Sequence, residues 1–248
     1  EVVGIISQIF SRSGGYMGVS FAIPIDMAMD VVSQIKEYGK VSRGWLGVLI
    51  QEVDRDLAES FGLDQPKGAL VSQVLEDSPA EAAGIQAGDI IVSFNGETIY
   101  RSSELPRWVG RVKPETDADM VVIRDGKEKK LEVTIGLLPD DPEMALRGAA
   151  GQAAPDGANA LGLKVRAASA AELSRLDLKA GVIVAEVGDG PAAKAGIASG
   201  DILVTLNNKA VNDPESFSEV VAGLPESGTV AALINRNGNP RFLPIKLP

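Results

Sequence analysis

One short motif occurs twice in this chain, and it constrains the fold more than any other feature. The first copy spans residues 78–92 and the second spans residues 191–204. In the first copy, Ser78 and Glu81 have the spacing of a capping box, and Pro79 stands at the first position of a short helix. A glycine then ends the helix, and a Gly-Asp turn leads into a β-rich run. The recurrence of the whole unit predicts a duplicated small domain.

The composition excludes several classes of site and partner. The formal net charge is −10, which disfavours nucleic-acid binding because affinity there depends on neutralising phosphates. No apolar run approaches the ~20 residues that a membrane helix needs, so we expect no membrane span. The chain has no cysteine and no histidine, which removes disulfides, zinc–thiolate sites and any Ser-His-Asp triad. We therefore expect no catalytic residue, no metal and no cofactor in this polypeptide.

The chain begins with the pattern of two β-strands. Apolar, β-prone residues predict strands at 2–10 and 17–23, joined by a polar turn at 11–15 and closed by Pro24. Neither an initiator methionine nor a signal segment is present, and the first residues have the pattern of a strand already in progress. We expect residues 1–24 to be the incomplete end of a domain whose upstream part is missing.

A connecting helix is expected at 25–42. Apolar residues recur at helical spacing over 27–38, Asp26 is the predicted N-cap, and Gly39 is the predicted terminator. Two strands and one helix cannot enclose a core by themselves. This part of the chain is therefore expected to belong to a larger domain or to pack on the first repeat.

The two repeats share one order of elements. We expect the first at 43–138 and the second at 159–248, with a flexible linker at 139–158 that lacks a periodic apolar face. Each repeat runs from a glycine-interrupted apolar segment through a buried strand, the motif, an amphipathic helix and a hairpin. In the first repeat, Ser103 is the predicted cap of this helix, and Leu105, Val109 and Val112 are predicted to share one of its faces. Pro240 and Pro244 predict that the last strand lies at a sheet edge. The predicted two-residue hairpin turns are Asp125-Gly126 and Asn237-Gly238.

Both repeats resemble bacterial PDZ domains, through the Leu-Gly-apolar run, the Pro-Ala…Ala-Gly-Ile…Gly-Asp-Ile core and the helix after it. The residues before them resemble the last strands of an HtrA/DegP-type, MucD-like serine protease, although Ile6 stands where that family has asparagine. The resemblance implies a mainly β fold with short α-helices. It implies two PDZ-like, partly open β-barrels in tandem, preceded by terminal strands of a trypsin-like β-barrel and a connecting helix.

The resemblance also implies where a peptide would bind. In PDZ domains a glycine loop presents backbone N–H groups to a peptide carboxylate, and the peptide adds to a strand. The residues matching this loop are Leu46, Gly47 and Val48 in the first repeat and Leu161, Gly162 and Leu163 in the second. The implied side-chain pocket consists of Ile50, Leu105, Val109 and Val112 in the first repeat and Phe217, Val220 and Val221 in the second. A structural role for the second loop stays open, because its approach is rich in alanine.

The resemblance places the start of the chain beside a protease site. The turn at 11–15 would be an activation loop, and Gly18 and Ser20 would form a wall of the specificity pocket. The family's nucleophile motif, Gly-Asn-Ser-Gly-Gly, does not occur in this sequence. We therefore expect the chain to belong to a serine endopeptidase but to be inactive alone.

The implied function is substrate recruitment and regulation in a periplasmic serine endopeptidase and chaperone for protein quality control under stress. The expected partners are unfolded segments or hydrophobic C-terminal peptides, bound by strand addition, and further copies of the full-length protein. The alternative is a stand-alone PDZ peptide-binding scaffold without protease function. A Ser/Lys tail-specific peptidase or a membrane metalloprotease is disfavoured, because the sequence has no catalytic Ser-Lys context and no His-Glu-x-x-His motif.

Overall fold

The computed structural model describes residues 2–9, 18–39, 41–138, 160–176 and 178–248. The chain divides into two compact units, Glu1–Arg43 and Gly44–Pro248. The predicted turn at 11–15 and the predicted linker at 139–158 lie outside the described residues.

The first unit is a strand pair followed by a helix. Strand β1 (Gly4–Ile9) pairs antiparallel with β2 (Ser20–Pro24), and helix α1 (Ile25–Tyr38) comes directly after β2. Many apolar side chains of the unit stay exposed, since two strands and one helix offer too little surface to cover them. Among the described residues of the unit, the exposed set is Val2, Val3, Ile5, Ile6, Val19, Phe21, Ile23, Met27, Met29, Ile35 and Val41.

The ends of α1 correct one prediction and confirm another. Pro24 occupies the N-cap position without a side-chain hydrogen bond, so the prediction of Asp26 as the cap is wrong. The helix starts earlier because the fixed φ of Pro24 leads into it directly, which leaves Asp26 in the first turn, where a negative charge suits the helix dipole. Gly39 ends the helix as predicted, with φ of 73° and its N–H donated to Ile35 O.

The second unit begins with an antiparallel sheet in the order β4-β5-β6-β8-β9, with β7 beside β6 and β10 paired to β3. Its strands are β3 (Gly44–Trp45), β4 (Val48–Glu52), β5 (Ala69–Val74), β6 (Ile90–Phe94), β7 (Glu97–Thr98), β8 (Asp117–Arg124), β9 (Lys127–Thr134) and β10 (Gly136–Leu137). Its helices are α2 (Arg55–Ser60), α3 (Pro79–Ala82) and α4 (Leu105–Val109), with a 3₁₀ turn at Ser102–Glu104 before α4.

A second sheet repeats this arrangement in the order β11-β12-β13-β15-β16, with β14 beside β13. Its strands are β11 (Leu163–Ala167), β12 (Val182–Val187), β13 (Ile202–Leu206), β14 (Lys209–Ala210), β15 (Gly228–Arg236) and β16 (Asn239–Leu247). Its helices are α5 (Ala170–Ser174), α6 (Pro191–Lys194) and α7 (Pro214–Ala222). The mainly β class with short helices is confirmed, and the sheets are not closed. Pro240 and Pro244 lie on β16, which is an edge strand as predicted.

The motif forms the short helix that its sequence predicts. Ser78 Oγ accepts the Glu81 N–H at 3.2 Å, and Gly84 comes after the helix with φ of 73°. The carboxylate of Glu81 accepts the N–H of Asp77 at 2.8 Å. The helix is therefore capped by Ser78 as predicted, while the return bond of the capping box reaches one residue further upstream than expected.

A buried ion pair ties each motif to the hairpin of its own repeat. Asp89 is 1% exposed, and Arg124 donates to it from Nε at 2.6 Å and from Nη2 at 2.7 Å. Arg124 Nη2 also donates to Gly84 O at 2.7 Å, and the Gln86 N–H donates to Asp89 Oδ2 at 2.9 Å. Hydrogen bonding to Asp89 raises the pKa of Arg124. The pair fixes the turn before β6 against the end of β8.

The second repeat contains the same pair. Arg236 donates from Nε and Nη2 to the two oxygens of Asp201, at 2.7 Å each, and from Nη2 to Gly196 O at 2.8 Å. The Ala198 N–H completes the set with a 2.9 Å bond to Asp201 Oδ2. The Gly-Asp turns of the motif predict the place of both aspartates, but no local spacing in the sequence indicates their arginine partners.

The second repeat contains one more buried carboxylate, that of Glu172. Glu172 is 6% exposed and receives Arg166 Nη2 at 2.7 Å and Arg166 Nη1 at 3.1 Å. Ser169 donates to the same carboxylate from its hydroxyl at 2.7 Å and from its N–H at 2.8 Å. The Arg166 hydrogen bonds, together with the weaker effect of those from Ser169, lower the pKa of Glu172 to about 2.

Three apolar clusters lie in the second unit. Two of them are the cores of the two sheets. The third joins the rear face of the first sheet to the outer face of β15 and β16. In this shared cluster, Phe61 packs edge-to-face on Phe242 with ring centroids 5.3 Å apart. The sequence does not predict how the two repeats are placed. In the structure they pack against each other through this shared cluster. The members of the shared cluster are Val53, Leu57, Ala58, Phe61, Leu70, Ile90, Val92, Ala231, Leu233 and Phe242.

Replacing Asp89 with asparagine is expected to lower the free energy of unfolding by about 3 kcal/mol, because it leaves a largely buried guanidinium without its carboxylate. Asp125→Asn makes the same change at an exposed hairpin turn and should stay within about 0.5 kcal/mol of wild type. Urea unfolding followed by tryptophan fluorescence measures this, since Trp45 and Trp108 both lie in the first repeat. Equal effects of the two variants would contradict the structural role of the pair.

The Glu172 carboxylate should make stability depend on pH. Because its pKa is lowered from 4.5 to about 2, the ionised form stabilises the fold fully above pH 4.5, and this contribution disappears as the pH falls toward 2. Glu172→Gln should therefore flatten the loss of stability over this interval, measured by urea unfolding with circular dichroism. Glu226→Gln, at an exposed position, should leave the wild-type pH profile unchanged. A wild-type profile in the Glu172 variant would refute the assignment.

Candidate functional site

The candidate site of the first repeat lies along strand β4, at the edge of its sheet. In the sheets that the structure describes, β4 pairs with β5 alone, in antiparallel register from Val48↔Val74 to Glu52↔Ala69. An edge strand presents backbone N–H and C=O groups along its outer side, where an extended peptide can add as a further strand. The predicted glycine loop lies directly before this strand.

The glycine loop is held against the start of α3. Leu46 O accepts the Ala80 N–H at 2.9 Å, and Gly47 O accepts the Leu75 N–H at 2.9 Å. Across a trans peptide, the C=O of one residue and the N–H of the next point in opposite directions. The N–H groups of Gly47 and Val48 therefore point away from α3 and β5, which is the orientation needed to meet a carboxylate.

Position 47 requires glycine for two reasons. Its φ is +79°, and a Cβ there would lie 2.3 Å from Ser78 Cβ. The loop can pass this close to the helix cap only without a side chain. Gly162 has the same conformation, with φ of +78°, and a Cβ there would lie 3.2 Å from Gly188 O.

The second loop makes the same two backbone contacts as the first. Leu161 O accepts the Ala192 N–H at 3.2 Å, and Gly162 O accepts the Gly188 N–H at 2.8 Å. The N–H groups of Gly162 and Leu163 consequently point away from those donors. The structure therefore gives both repeats the same loop geometry.

The walls of the first groove come from β4 and from the segment around α4. Val48, Ile50 and Val112 are half-buried, whereas Leu105 and Val109 are buried in the core. Leu46 is also buried, at 4% exposure. The half-buried residues are the ones whose surface a peptide side chain could contact.

Helix α4 is shorter than predicted. It ends at Val109, so the prediction that Val112 lies on the same helix is wrong. The chain turns instead, with the Val112 N–H donated to Val109 O at 3.1 Å. The sequence Gly110-Arg111-Val112-Lys113-Pro114 explains this, because glycine weakens a helix and the residue before proline avoids helical geometry.

The side chains predicted to line the groove of the second repeat are mostly buried. Leu163 is 0% exposed, Val165 and Val220 are 7% exposed, and Phe217 is 2% exposed. Only Val221, among the residues predicted for this pocket, is half-buried. The two grooves therefore share a backbone plan but differ in how much apolar surface they offer.

A carboxylate links the two walls of the first groove. Glu52 Oε2, at the end of β4, accepts the N–H of Ser102 at 2.9 Å and its hydroxyl at 2.5 Å. Ser102 begins the 3₁₀ turn before α4, and Glu104 Oε2 accepts the Tyr100 N–H at 2.9 Å in the same turn. Ser103, the predicted cap of this helix, lies inside the 3₁₀ turn, and no local spacing in the sequence indicates Glu52, whose partner lies 50 residues away.

The residues assigned to the protease pocket wall lie in the first unit. Ser20 begins β2 and is exposed, and Gly18 precedes it with φ of +83°. No group of three or more acidic, histidine or cysteine side chains within the described residues could hold a metal ion. None of the described helices has the length and apolar character required to cross a membrane.

The chain is similar over its full length to several curated relatives. A protein named "Probable periplasmic serine endoprotease DegP-like" from Pseudomonas savastanoi pv. phaseolicola (strain 1448A / Race 6) is 52% identical over 247 residues, covering 100% of this chain and 51% of that protein. Its namesake from Hahella chejuensis (strain KCTC 2396) is 54% identical over 247 residues, covering 100% and 52%. The chain thus spans about half the length of the curated relatives it matches. These names confirm the DegP-like resemblance and the predicted periplasmic location.

Solved structures of an HtrA-type protease match part of the chain. The structure titled "HtrA-type protease AlgW with decapeptide" is 37% identical, with a TM-score of 0.51, covering 56% of this chain and 43% of that one. The structure titled "HtrA-type protease AlgW with tripeptide" is 37% identical, with a TM-score of 0.52, covering 56% and 46%. The profile of the PDZ domain family matches residues 15–135 and 159–247. The chain belongs to the PDZ domain family.

Proposed function

We propose that this chain is the tandem PDZ region of a periplasmic serine endoprotease, and that its first groove captures hydrophobic peptide C-termini by strand addition. The observation that carries this is the half-buried surface of Val48 and Ile50 beside the unpaired side of an edge strand. The outward N–H groups of Gly47 and Val48 lie at the head of that strand and would receive the carboxylate. The titles of the AlgW structures name bound peptides for that protein, which supports the same class of ligand here.

The proposal assigns a role to each part of the chain. Residues 43–138 and 159–248 are the two PDZ domains, joined by a linker at 139–158. Residues 1–24 end a protease domain, with Gly18 and Ser20 in its specificity-pocket wall, and 25–42 connect it to the first PDZ domain. In the full-length protein these domains would recruit unfolded clients, regulate the protease and take part in self-association.

The expected affinity at one groove is modest. Burial of one aliphatic side chain contributes roughly 1.5–3 kcal/mol, and each hydrogen bond to a charged carboxylate contributes about 1.5–3 kcal/mol. Association entropy offsets several kcal/mol of this gain, so a dissociation constant on the order of micromolar is expected. Two grooves in one chain would strengthen binding through effective concentration.

The second groove is proposed as the weaker site. Its loop residues, Leu161, Gly162 and Leu163, have the geometry of the first loop, but Leu163 and Val165 on β11 are buried where Val48 and Ile50 on β4 are half-buried. A peptide side chain would reach them only after neighbouring side chains move. The first groove offers half-buried side chains that need no such rearrangement.

Peptides that end in Val, Leu or Phe with a free carboxylate should bind the chain with micromolar affinity, and C-terminal amidation should weaken binding at least tenfold. Ile50→Ala should weaken binding of the free peptide about tenfold, because several buried CH₂ groups are lost. Isothermal titration calorimetry measures both effects. Val165→Ala is the matched control, because Val165 and Ile50 are each the third residue of their edge strands. Insensitivity to amidation, or equal losses in the two variants, would refute capture by the first groove.

The chain alone should not cleave unfolded casein. Peptide-bond hydrolysis by a serine protease needs a general base such as histidine, and the sequence contains none. Gel electrophoresis of casein after prolonged incubation measures cleavage, with an active serine protease as the positive control. Cleavage by a preparation free of other proteases would show that the chain contains its own catalytic site.

A further inference from the structure

Strand β4 has two faces with different partners. Side chains alternate along a strand, so Val48 and Ile50 face the groove while Gln51 faces the rear. The Gln51 side chain forms two hydrogen bonds to the backbone of Phe242 on β16, in the other repeat. Its Nε2 donates to Phe242 O at 2.9 Å, and its Oε1 accepts the Phe242 N–H at 2.8 Å. The amide thus pairs with the outer edge of β16 as a neighbouring strand would.

The side chain of Phe242 is also seated in the first repeat. It is 2% exposed and packs edge-to-face on Phe61, which is itself 6% exposed. Leu233, 4% exposed, joins it in the cluster that covers the rear face of the first sheet. At the rim, Lys246 Nζ contacts Asp56 Oδ1 at 2.8 Å. This is a packed apolar interface with a bidentate amide beside it.

Within the first repeat, side chains hold β4 at two places: Ser72 Oγ donates to Leu49 O at 3.2 Å, and Glu52 binds Ser102 at the end of the strand. The strand has one ladder, to β5, and the register of that ladder shifts between Leu49 and Ile50. A strand that has few partners opens more readily than a central one. Gln51 adjoins Ile50, so the contact with Phe242 holds β4 next to this irregularity.

In the second repeat, the corresponding position of the edge strand is held by a residue of the same repeat. Gln51 and Arg166 are each the fourth residue of their edge strands. Arg166 binds Glu172 of its own repeat at 2.7 Å. The fourth residue of the edge strand is therefore held from within in the second repeat, whereas in the first repeat it is held by the neighbouring repeat.

We infer that Gln51 and Phe242 are positioning residues for the first groove, so that peptide affinity there depends on the packing of the second repeat against the rear of β4. The inference rests on the proposed function, since it concerns how the same groove is held ready. Because β4 is then already ordered before the peptide arrives, binding costs less conformational entropy, and this favours affinity. By thermodynamic linkage, a bound peptide must strengthen the contact between the repeats by the same factor.

Two variants of the full chain test the inference by titration with a labelled peptide that ends in Val. Gln51→Met keeps the length of the side chain and its lack of charge but loses both hydrogen bonds. Phe242→Ala removes the ring that packs on Phe61 and leaves the groove residues unchanged. Each should weaken binding about five- to tenfold. The double variant should be little weaker than either alone, because both changes release the same contact. Leu243→Ala is the control, because Leu243 is next to Phe242 on β16 but faces the core of the second repeat.

Hydrogen exchange supplies a readout that a purely structural role would not move. Saturating peptide should slow amide exchange across 239–247 in the wild-type chain and leave it unchanged in Gln51→Met. Peptide binding that is intact in both variants, or equally lost in Leu243→Ala, would overturn the inference while leaving the proposed function in place. A wild-type chain that binds no peptide would overturn the proposed function and the inference together.

Discussion

The buried Asp89–Arg124 pair is the contact on which the geometry of the first repeat depends. Asp89 is 1% exposed and accepts from a guanidinium on β8 and from the N–H of Gln86. It thereby joins the motif to the hairpin at a distance of 35 residues along the chain. The motif's helix in turn donates the Ala80 N–H to the carbonyl of Leu46. The glycine loop is placed by this series of contacts, so the recurring motif supports the groove and does not itself line it.

Local rules predicted those features whose causes lie within a few residues. The cap at Ser78, the terminator at Gly39 and the Asp125-Gly126 hairpin turn, with φ of 50° and 72°, result from side-chain chemistry and backbone freedom. The edge position of β16 results from its prolines, which lack the N–H that a central strand donates. Asp26 failed as a cap because Pro24, two residues earlier, already starts the helix. The competition between Pro24 and Asp26 for the start of the helix is also local, but residue propensities alone do not decide it.

Long-range partners explain what sequence reasoning did not reach. Arg124 was one cation among 24 in the sequence, and nothing in its neighbourhood indicated a buried aspartate 35 residues away. Gln51 meets Phe242 across 191 residues, which no spacing rule covers. The residues of the two grooves could be named from the family pattern. Their burial could not, because it depends on how the helices pack on the strands: Val48 and Ile50 are half-buried where Leu163 and Val165 are buried.

The two repeats share one backbone plan but hold their edge strands through different side-chain contacts. The Arg166–Glu172 pair is satisfied within the second repeat, so β11 keeps its partners whatever the first repeat does. The amide of Gln51 finds its two partners on Phe242 only when the repeats are docked. The rear apolar face containing Leu70 and Ile90, both 0% exposed, imposes the same requirement. The strand beside the more open groove is thus the one that also depends on contacts with the other repeat.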